Sequence, residues 1–342
     1  MPNSPHLVPP LISEWLAEHF QHSPITVMPM TGDASFRSYY RVQCQRQELQ
    51  TQSQNQSASF IVLAAPKDKA ESNRSFLNIR QLLFDIGLCV PMVYRQDDAK
   101  GLLLLSDLGD IQYGQALTNE HRAYNLYRRA FYPLIWMQRE ITPANCAFPL
   151  NNFDANFMHE QLQFFKLWYI EQHLRHVLTD ASATALDALF RKIIDVVAEQ
   201  PLVFSHMDYH SRNLMVLNKK EMPGIIDFQD AMWAPCTLDL LSLLKDCYIE
   251  WPREQMVHWV HDFYQLRLAL WPEAPYVDFH TFLRWFDWTG VQRHLRILGT
   301  FSRLHHAYGK SNYLQYIPRI LMYLIDMAET YPELKSLENY LR

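Results

Sequence analysis

The sequence predicts an α+β chain of two lobes, a small β-rich lobe over 1–106 and a mostly helical lobe over 107–342. Three observations carry this. β-Branched and aromatic runs bounded by turn residues crowd the first third of the chain. Apolar residues at helical spacing dominate from 107 onward. Glycine is scarce, nine in 342 residues, and neither GxGxxG nor GxxxxGK[ST] occurs. A glycine-rich phosphate loop of either kind is thereby excluded.

Residues 11–20 form an amphipathic helix after a Pro-rich start, with apolar residues at 11, 12, 15, 16 and 20. The stretch 25–42 reads as two strands joined by a tight turn around Gly32, Asp33, Ala34 and Ser35. Gln and Ser fill 43–59, which reads as a hairpin loop. SFIVLAAP (59–66) is a short strand that Pro66 stops. Phe76, Ile79, Leu83 and Ile86 recur at helical spacing over 71–86, and Gly87 ends that helix. VPMVY (90–94) and LLLLS (102–106) are two more strands around an Asp-rich turn. In the second lobe the clearest helices are 160–176, 185–200, 237–251 and 279–307, with short strands at 203–205, 214–217 and 224–227.

Composition narrows the function classes. Apolar residues make up 49 % and charged residues 20 %, with a net charge of −5. That is ordinary for a globular chain and gives no basic footprint for nucleic acid or a membrane surface. No apolar run approaches the roughly 18 residues of a membrane span. The five cysteines are scattered and form no CxxC, so no disulfide framework or zinc site is expected. The first Lys or Arg is Arg37, so the basic start of a secretory leader is not expected. A cytoplasmic monomer is the expectation.

The densest chemistry lies in HMDYHSRNLMVLNKKEMPGIIDFQD, residues 206–230. Asp208 is followed five residues later by Asn213 and nineteen later by Asp227. One carboxylate can take a proton from a substrate hydroxyl. An amide oxygen and a second carboxylate are hard ligands that suit Mg²⁺ against a nucleotide's phosphates. The set reads as phosphoryl transfer from ATP to a small molecule. The plain alternative is three surface polar residues near turns, and the spacing with its flanking strands favours the chemistry. His206 by itself reads as a core histidine, and Asp230 reads equally as a solvated residue or a neighbour of the site.

HMDYHSRNLMV followed by GIIDFQDA resembles the catalytic motif and metal-binding Asp of the aminoglycoside phosphotransferase/choline kinase superfamily, whose fold is bilobal and protein-kinase-like. TGDASFRSYYRV (31–42), SDLG (106–109), DFQDAMWAPCTLDLLSLLKD (227–246) and TGVQRHLRILGTFSRLHHAYGKSNYL (289–314) resemble one group within it. That group comprises the bacterial kinases of the anomeric hydroxyl of N-acetylmuramate and N-acetylglucosamine, which serve cell-wall recycling. The resemblance implies ATP and Mg²⁺, with Asp208 as catalytic base and Asn213 and Asp227 as metal ligands. It implies that His206 orients the metal-binding loop and that Asp239 braces the catalytic loop through its backbone. It places Asp33, Ala34 and Ser35 over the phosphates, and the backbone of Leu103, Leu105 and Asp107 against the adenine.

Two departures bear on this. The third strand, FIVLAAP, has no Lys; Lys67 and Lys69 lie just beyond it, with Glu71 available as the helix acid. Phosphate charge then falls to the metal, loop amides and Arg37 or Arg41. Met207 precedes Asp208 where protein kinases often carry Arg. For the acceptor, Arg293 and His294 are nominated to meet a lactyl carboxylate, on a helix that also carries Arg296 and Arg303. A solvated charged face is the plain alternative there. Trp233 is nominated for sugar stacking among 46 aromatics that mostly belong to the core. The stretch 289–314 holds no Asp or Glu, which favours a neutral or anionic acceptor over a polycationic one. Two alternatives stay open: a kinase of another small molecule, of aminoglycoside or choline type, and a nucleotide-binding pseudokinase sensor.

Overall fold

The computed structural model describes residues 8–21, 23–30, 37–44, 58–66, 71–218 and 220–342. Asp33, Ala34 and Ser35, Lys67 and Lys69, and the side chain of Glu71 lie outside what is described. The chain divides into two compact units. One comprises Met1–Asp110, Leu217–Lys219 and Gly224–Gln229, and the other Ile111–Val216, Lys220–Pro223 and Asp230–Arg342. The first unit thus runs past the boundary at 106 and takes back the short segment that carries Asp227.

In the first unit, helix α1 (Pro10–Phe20) precedes strands β1 (Ile25–Met30), β2 (Ser38–Cys44) and β3 (Ala58–Ala64). Helix α2 (Glu71–Asp85) follows, then β4 (Val93–Asp97) and β5 (Leu102–Ser106). The sheet order is β1-β2-β3-β5-β4, and each neighbouring pair is antiparallel. Alternate residues point to one face of a strand. That brings Tyr40, Val42, Val62, Leu102 and Leu104 onto Ile12, Trp15 and Leu16 of α1. The four leucines of β5 are all buried, as a strand covered on both faces requires. β4 begins later than 90–94 because Pro91 has no N–H for a ladder. It ends at the turn where Asp97 Oδ1 accepts the N–H of Lys100. A short strand β8 (Gly224–Ile225) also belongs to this unit, with the Ile225 N–H on the Cys89 carbonyl at 2.8 Å.

The second unit holds α3 (Tyr113–Ala116), α4 (Glu120–Glu140), and α5 (Ala155–Phe164) running directly into a π-helix (Phe165–His173). Next come α6 (Asp180–Ala198), β6 (Leu202–Ser205), β7 (Leu214–Met215), β9 (Met232–Pro235) and α7 (Leu238–Leu244). Three long helices close it: α8 (Arg253–Leu270), α9 (Phe279–Tyr308) and α10 (Ile317–Thr330). β6 and β9 pair antiparallel. The thirty-residue α9 is the spine, in contact with α5, the π-helix, α6, α7, α8 and α10. Asp278 caps its start by accepting the Thr281 N–H, and Gly309 ends it in the left-handed region. Among the described residues no helix is long and apolar enough to cross a membrane.

Two departures from the sequence reading have physical causes. The helix over 237–251 stops at Leu244 because Asp246 Oδ1 captures the N–H groups of Tyr248 (2.7 Å) and Ile249 (2.9 Å). A side chain that competes for backbone donors ends a helix. The helix over 160–176 is α5 plus the π-helix. Where they join, α9 passes so closely that a Cβ on Gly299 would lie 2.3 Å from the carbonyl carbon of Phe164. That contact is with backbone, so relief requires a shift of a whole helix. Gly299→Ala is expected to destabilise the protein by about 1–3 kcal/mol. A denaturant midpoint equal to that of the unaltered chain would rule the close crossing out.

Candidate active site

β6 ends at Ser205 and the chain turns through His206, Met207 and Asp208. Met207 has φ +76°, a left-handed conformation that costs a bulky side chain free energy. The turn holds because Asp239 accepts the N–H of His206 at 2.7 Å and of Met207 at 3.0 Å. Asp239 sits in the first turn of α7, only 1 % exposed. Burial pushes its carboxyl up from the ordinary value, while His206 and the donated hydrogen bonds pull it down.

A second carboxylate anchors the far end of the loop. Asp246 is buried, and its Oδ2 accepts the N–H of Ser211 at 3.3 Å. The Ser211 carbonyl in turn accepts the N–H of Gly114 at 2.9 Å. Arg212 lies over the Tyr248 ring at 3.5 Å and donates to the Tyr316 hydroxyl at 2.8 Å.

Between these anchors stands Asp208. Its carbonyl accepts the His210 N–H and Asn213 Nδ2, each at 2.9 Å, and its own N–H faces His206 Nδ1 at 3.3 Å. Its side chain is 39 % exposed, so the carboxylate reaches solvent. Arg293 of α9, 7 % exposed, donates from Nη2 to Asp208 Oδ1. Burial disfavours the charge on Asp208, but Arg293, then His210 and Arg296, outweigh it. The carboxyl is held well below the usual carboxylate range and stays ionised.

Asn213 spends its amide nitrogen on the Asp208 carbonyl, which leaves its Oδ1 as a ligand oxygen. Asp227, described within the first unit, is exposed with φ +64°. Its Oδ1 accepts from Gln229 Nε2 at 2.9 Å. Its neighbours are fixed: Phe228 stacks on Phe76 at 5.0 Å, and Ser75 donates to the Gln229 carbonyl at 2.7 Å. Among the described residues no cluster of three or more His, Cys, Asp or Glu side chains is placed to hold a metal by itself. Each of the two, an amide oxygen and an exposed carboxylate, is a hard donor of the kind Mg²⁺ takes, an ion that needs few protein ligands and completes its octahedron with phosphate and water.

Several nominated residues have other duties. His294 is 1 % exposed, stacks on Tyr323 at 5.0 Å, and has Nε2 3.1 Å from the Lys245 carbonyl. Burial and Lys245 push it down to about 3, so it is a neutral core residue that meets no carboxylate. Trp233 packs edge-on against Phe204 at 6.4 Å, and its backbone pairs with Asn151 and Phe153. Arg293, nominated for the substrate, is engaged by Asp208. Leu103 and Leu105 lie on β5, laddered to β3 on one side and β4 on the other, so their backbone is not open to an adenine. Asp107, just past the strand, accepts from Ser59 Oγ at 2.6 Å and the Gly109 N–H at 2.9 Å. It also pairs with Arg41 Nε at 2.7 Å, and Arg41 reaches Asp110 as well, so Arg41 is spent on carboxylates. The sequence reading missed Asp246, although it follows Asp239 by two helical turns, the spacing of residues that share a face.

The sequence profile described as the phosphotransferase enzyme family matches residues 26–276. A Pseudomonas putida protein named N-acetylmuramate/N-acetylglucosamine kinase is 34 % identical over 307 residues, 90 % of this chain and 85 % of that protein. A Pseudomonas aeruginosa protein of the same name is 35 % identical over 319 residues, 93 % of this chain and 88 % of its own. Among solved structures, an ADP-bound aminoglycoside phosphotransferase matches with a TM-score of 0.60 at 15 % identity, covering 92 % of this chain and 97 % of its own. The fold is the α+β, protein-kinase-like one.

Two outcomes follow for the loop. Asp239→Ala orphans two buried amides and should cost about 1–3 kcal/mol for each, read by denaturant titration, with Asp239→Asn losing less. On the expectation that Asp208 is the base, which works only when ionised, the acid limb of kcat/KM marks where its carboxyl gains a proton. Arg293→Gln removes the nearest cation while burial stays, so the carboxyl rises toward or beyond its ordinary value near ~3.9 and the limb moves to higher pH. A limb that does not move would show that Arg293 does not set the charge on Asp208.

Proposed function

This chain belongs to the phosphotransferase enzyme family, and on that premise we propose that it is an ATP-dependent kinase of N-acetylmuramate and N-acetylglucosamine that phosphorylates the anomeric C1 hydroxyl. The observation that carries the reading is the solvent-reaching Asp208 carboxylate, held ionised by Arg293 with the Asn213 amide oxygen on the same loop. The names of relatives 34 % and 35 % identical over nine-tenths of the chain support the substrate pair.

In this reading Asp208 accepts the proton of the C1 hydroxyl as its oxygen bonds to the γ-phosphorus, and the bond from that phosphorus to the ADP oxygen breaks. Asp208 is a weak base, because its carboxyl is held low. A weak base suffices for two reasons. An anomeric hydroxyl is more acidic than other sugar hydroxyls, and a loose phosphoryl transition state demands little of the nucleophile's proton until late. The exposed edge of Asp208 then returns the proton to solvent. Asn213 and Asp227 would hold Mg²⁺, which when bound neutralises phosphate charge. Asp239 and Asp246 keep the loop in place, and the buried His206 orients it. A cytoplasmic monomer acting on small molecules belongs to the same reading. A polycationic aminoglycoside is a poorer fit, since the α9 side chains whose charge acts on Asp208 are Arg293 and Arg296.

The test is turnover of ATP with a panel of amino sugars, the product's phosphate located by phosphorus NMR. Asp208→Asn should lower kcat by about 10²–10⁴-fold, the range of general-base contributions, with ATP affinity nearly intact. Undiminished turnover in that variant would sink the assignment of the base. Nucleotide binding without sugar-dependent turnover in the unaltered chain would favour a sensor.

A further inference from the structure

We propose that Arg296 reads an acidic arm of the acceptor, pairing with the lactyl carboxylate that N-acetylmuramate carries and N-acetylglucosamine lacks. The inference rests on the functional reading above and deepens it.

Arg293 and Arg296 lie three residues apart on α9, so they share a face about one turn apart. Their situations differ. Arg293 is taken by Asp208. Arg296 has no hydrogen-bond or ion-pair partner for its side chain among the described residues. Its ionic neighbours are Arg293, Asp208 and Asp230. Burial, then Arg293, pushes its guanidinium down to about 10, and it remains a cation at neutral pH. A half-buried guanidinium beside another, with carboxylates near it but none in direct contact, has donors left for an anion from outside.

The place of that anion follows from Asp208. A base must come within about 3 Å of the hydroxyl it deprotonates. The C1 end of the acceptor therefore sits against Asp208, and the substituents around the ring lie within a sugar's breadth of Arg296. Of the arms on the two sugars, only the lactyl group is anionic. A carboxylate matches the planar fork of a guanidinium with two parallel hydrogen bonds. The transferred phosphate is another oxyanion that could face Arg296, but both sugars share it, so sugar preference separates the two.

Steady-state kinetics on the full-length chain with both sugars is the test. Arg296→Gln should change the ratio of kcat/KM for N-acetylmuramate over N-acetylglucosamine by about 10–100-fold against N-acetylmuramate, the worth of a charge-assisted bidentate contact. The loss should fall chiefly on KM, because the carboxylate is bound equally before and during transfer. Arg296→Lys should restore part of the preference. With the unaltered chain, N-acetylmuramate methyl ester should lose by the same factor, and Arg296→Gln should have no further selective effect on the ester. This arm holds even where a variant folds poorly. An equal loss on both sugars, or an ester as good as the free acid, overturns the inference while leaving the kinase reading intact. Turnover of neither sugar by the unaltered chain overturns both.

Discussion

Asp239 accepts two consecutive backbone amides, that of His206 on Oδ2 and that of Met207 on Oδ1, and from that bidentate contact the direction of Asp208 follows. A carboxylate this deeply buried is expensive to desolvate, and its charge is offset by donors that would otherwise be orphaned in the core. The arrangement is reciprocal. The left-handed turn at Met207 presents the two N–H groups to one carboxylate, and the carboxylate keeps Met207 in a conformation that a bulky side chain avoids. Local backbone strain is thus held by tertiary contact, and the strained turn is the one that points Asp208.

Asp208 and its counter-ion share a frame. Lys245 caps the end of α7, and its Nζ reaches Asp287 of α9 at 3.0 Å, both groups essentially without solvent. Arg253 joins Asp287 at 2.8 Å and the Tyr331 hydroxyl donates to it at 3.0 Å. Burial opposes ionisation of Asp287, yet Lys245 and Arg253 hold its carboxyl below its ordinary value. Such a buried cluster adds little net stability, but breaking it by removing one partner is costly, so it fixes relative position. It pins α7, which positions Asp208, to α9, which carries Arg293 and Arg296. The charge state of Asp208 is therefore a property of helix packing as much as of the loop.

What the sequence discloses depends on the range of the interaction. α1 and α2 follow from apolar spacing and β1, β2, β3 and β5 from apolar and β-branched runs between turn residues, whereas β4 lies three residues later than its run suggests. Asp208 and Asn213 come together on one loop because five residues cannot carry them far apart. α4 escaped notice although Ala123, Leu126, Tyr127, Ala130, Phe131 and Leu134 form its buried stripe, since Pro133 inside it reads as a breaker. Ion pairing is the least legible feature. Arg293 and Asp208 are 85 residues apart, and nothing in either neighbourhood announces the other. Arg293 and His294 look interchangeable in the sequence, but the roughly 100° between consecutive helical residues sends one to Asp208 and the other into the core. Asp239 entered through family resemblance. Asp246, which does parallel work, carries no motif of its own.

The two carboxylates that hold the Asp208 loop sit seven residues apart along one segment, Asp239 in the first turn of α7 and Asp246 two residues beyond its last. The loop amides they grip, from His206 to Ser211, are spaced to match. α7 therefore acts as a gauge for the loop, with its length as the calibrated dimension. One residue added or removed between the two carboxylates would swing Asp246 by about 100° and shift it by about 1.5 Å, out of register with Ser211. Side chains along this stretch can vary where packing allows, but its length cannot change independently of the loop's. In this protein the count of residues between Asp239 and Asp246 is itself a functional quantity, one that no single side chain displays.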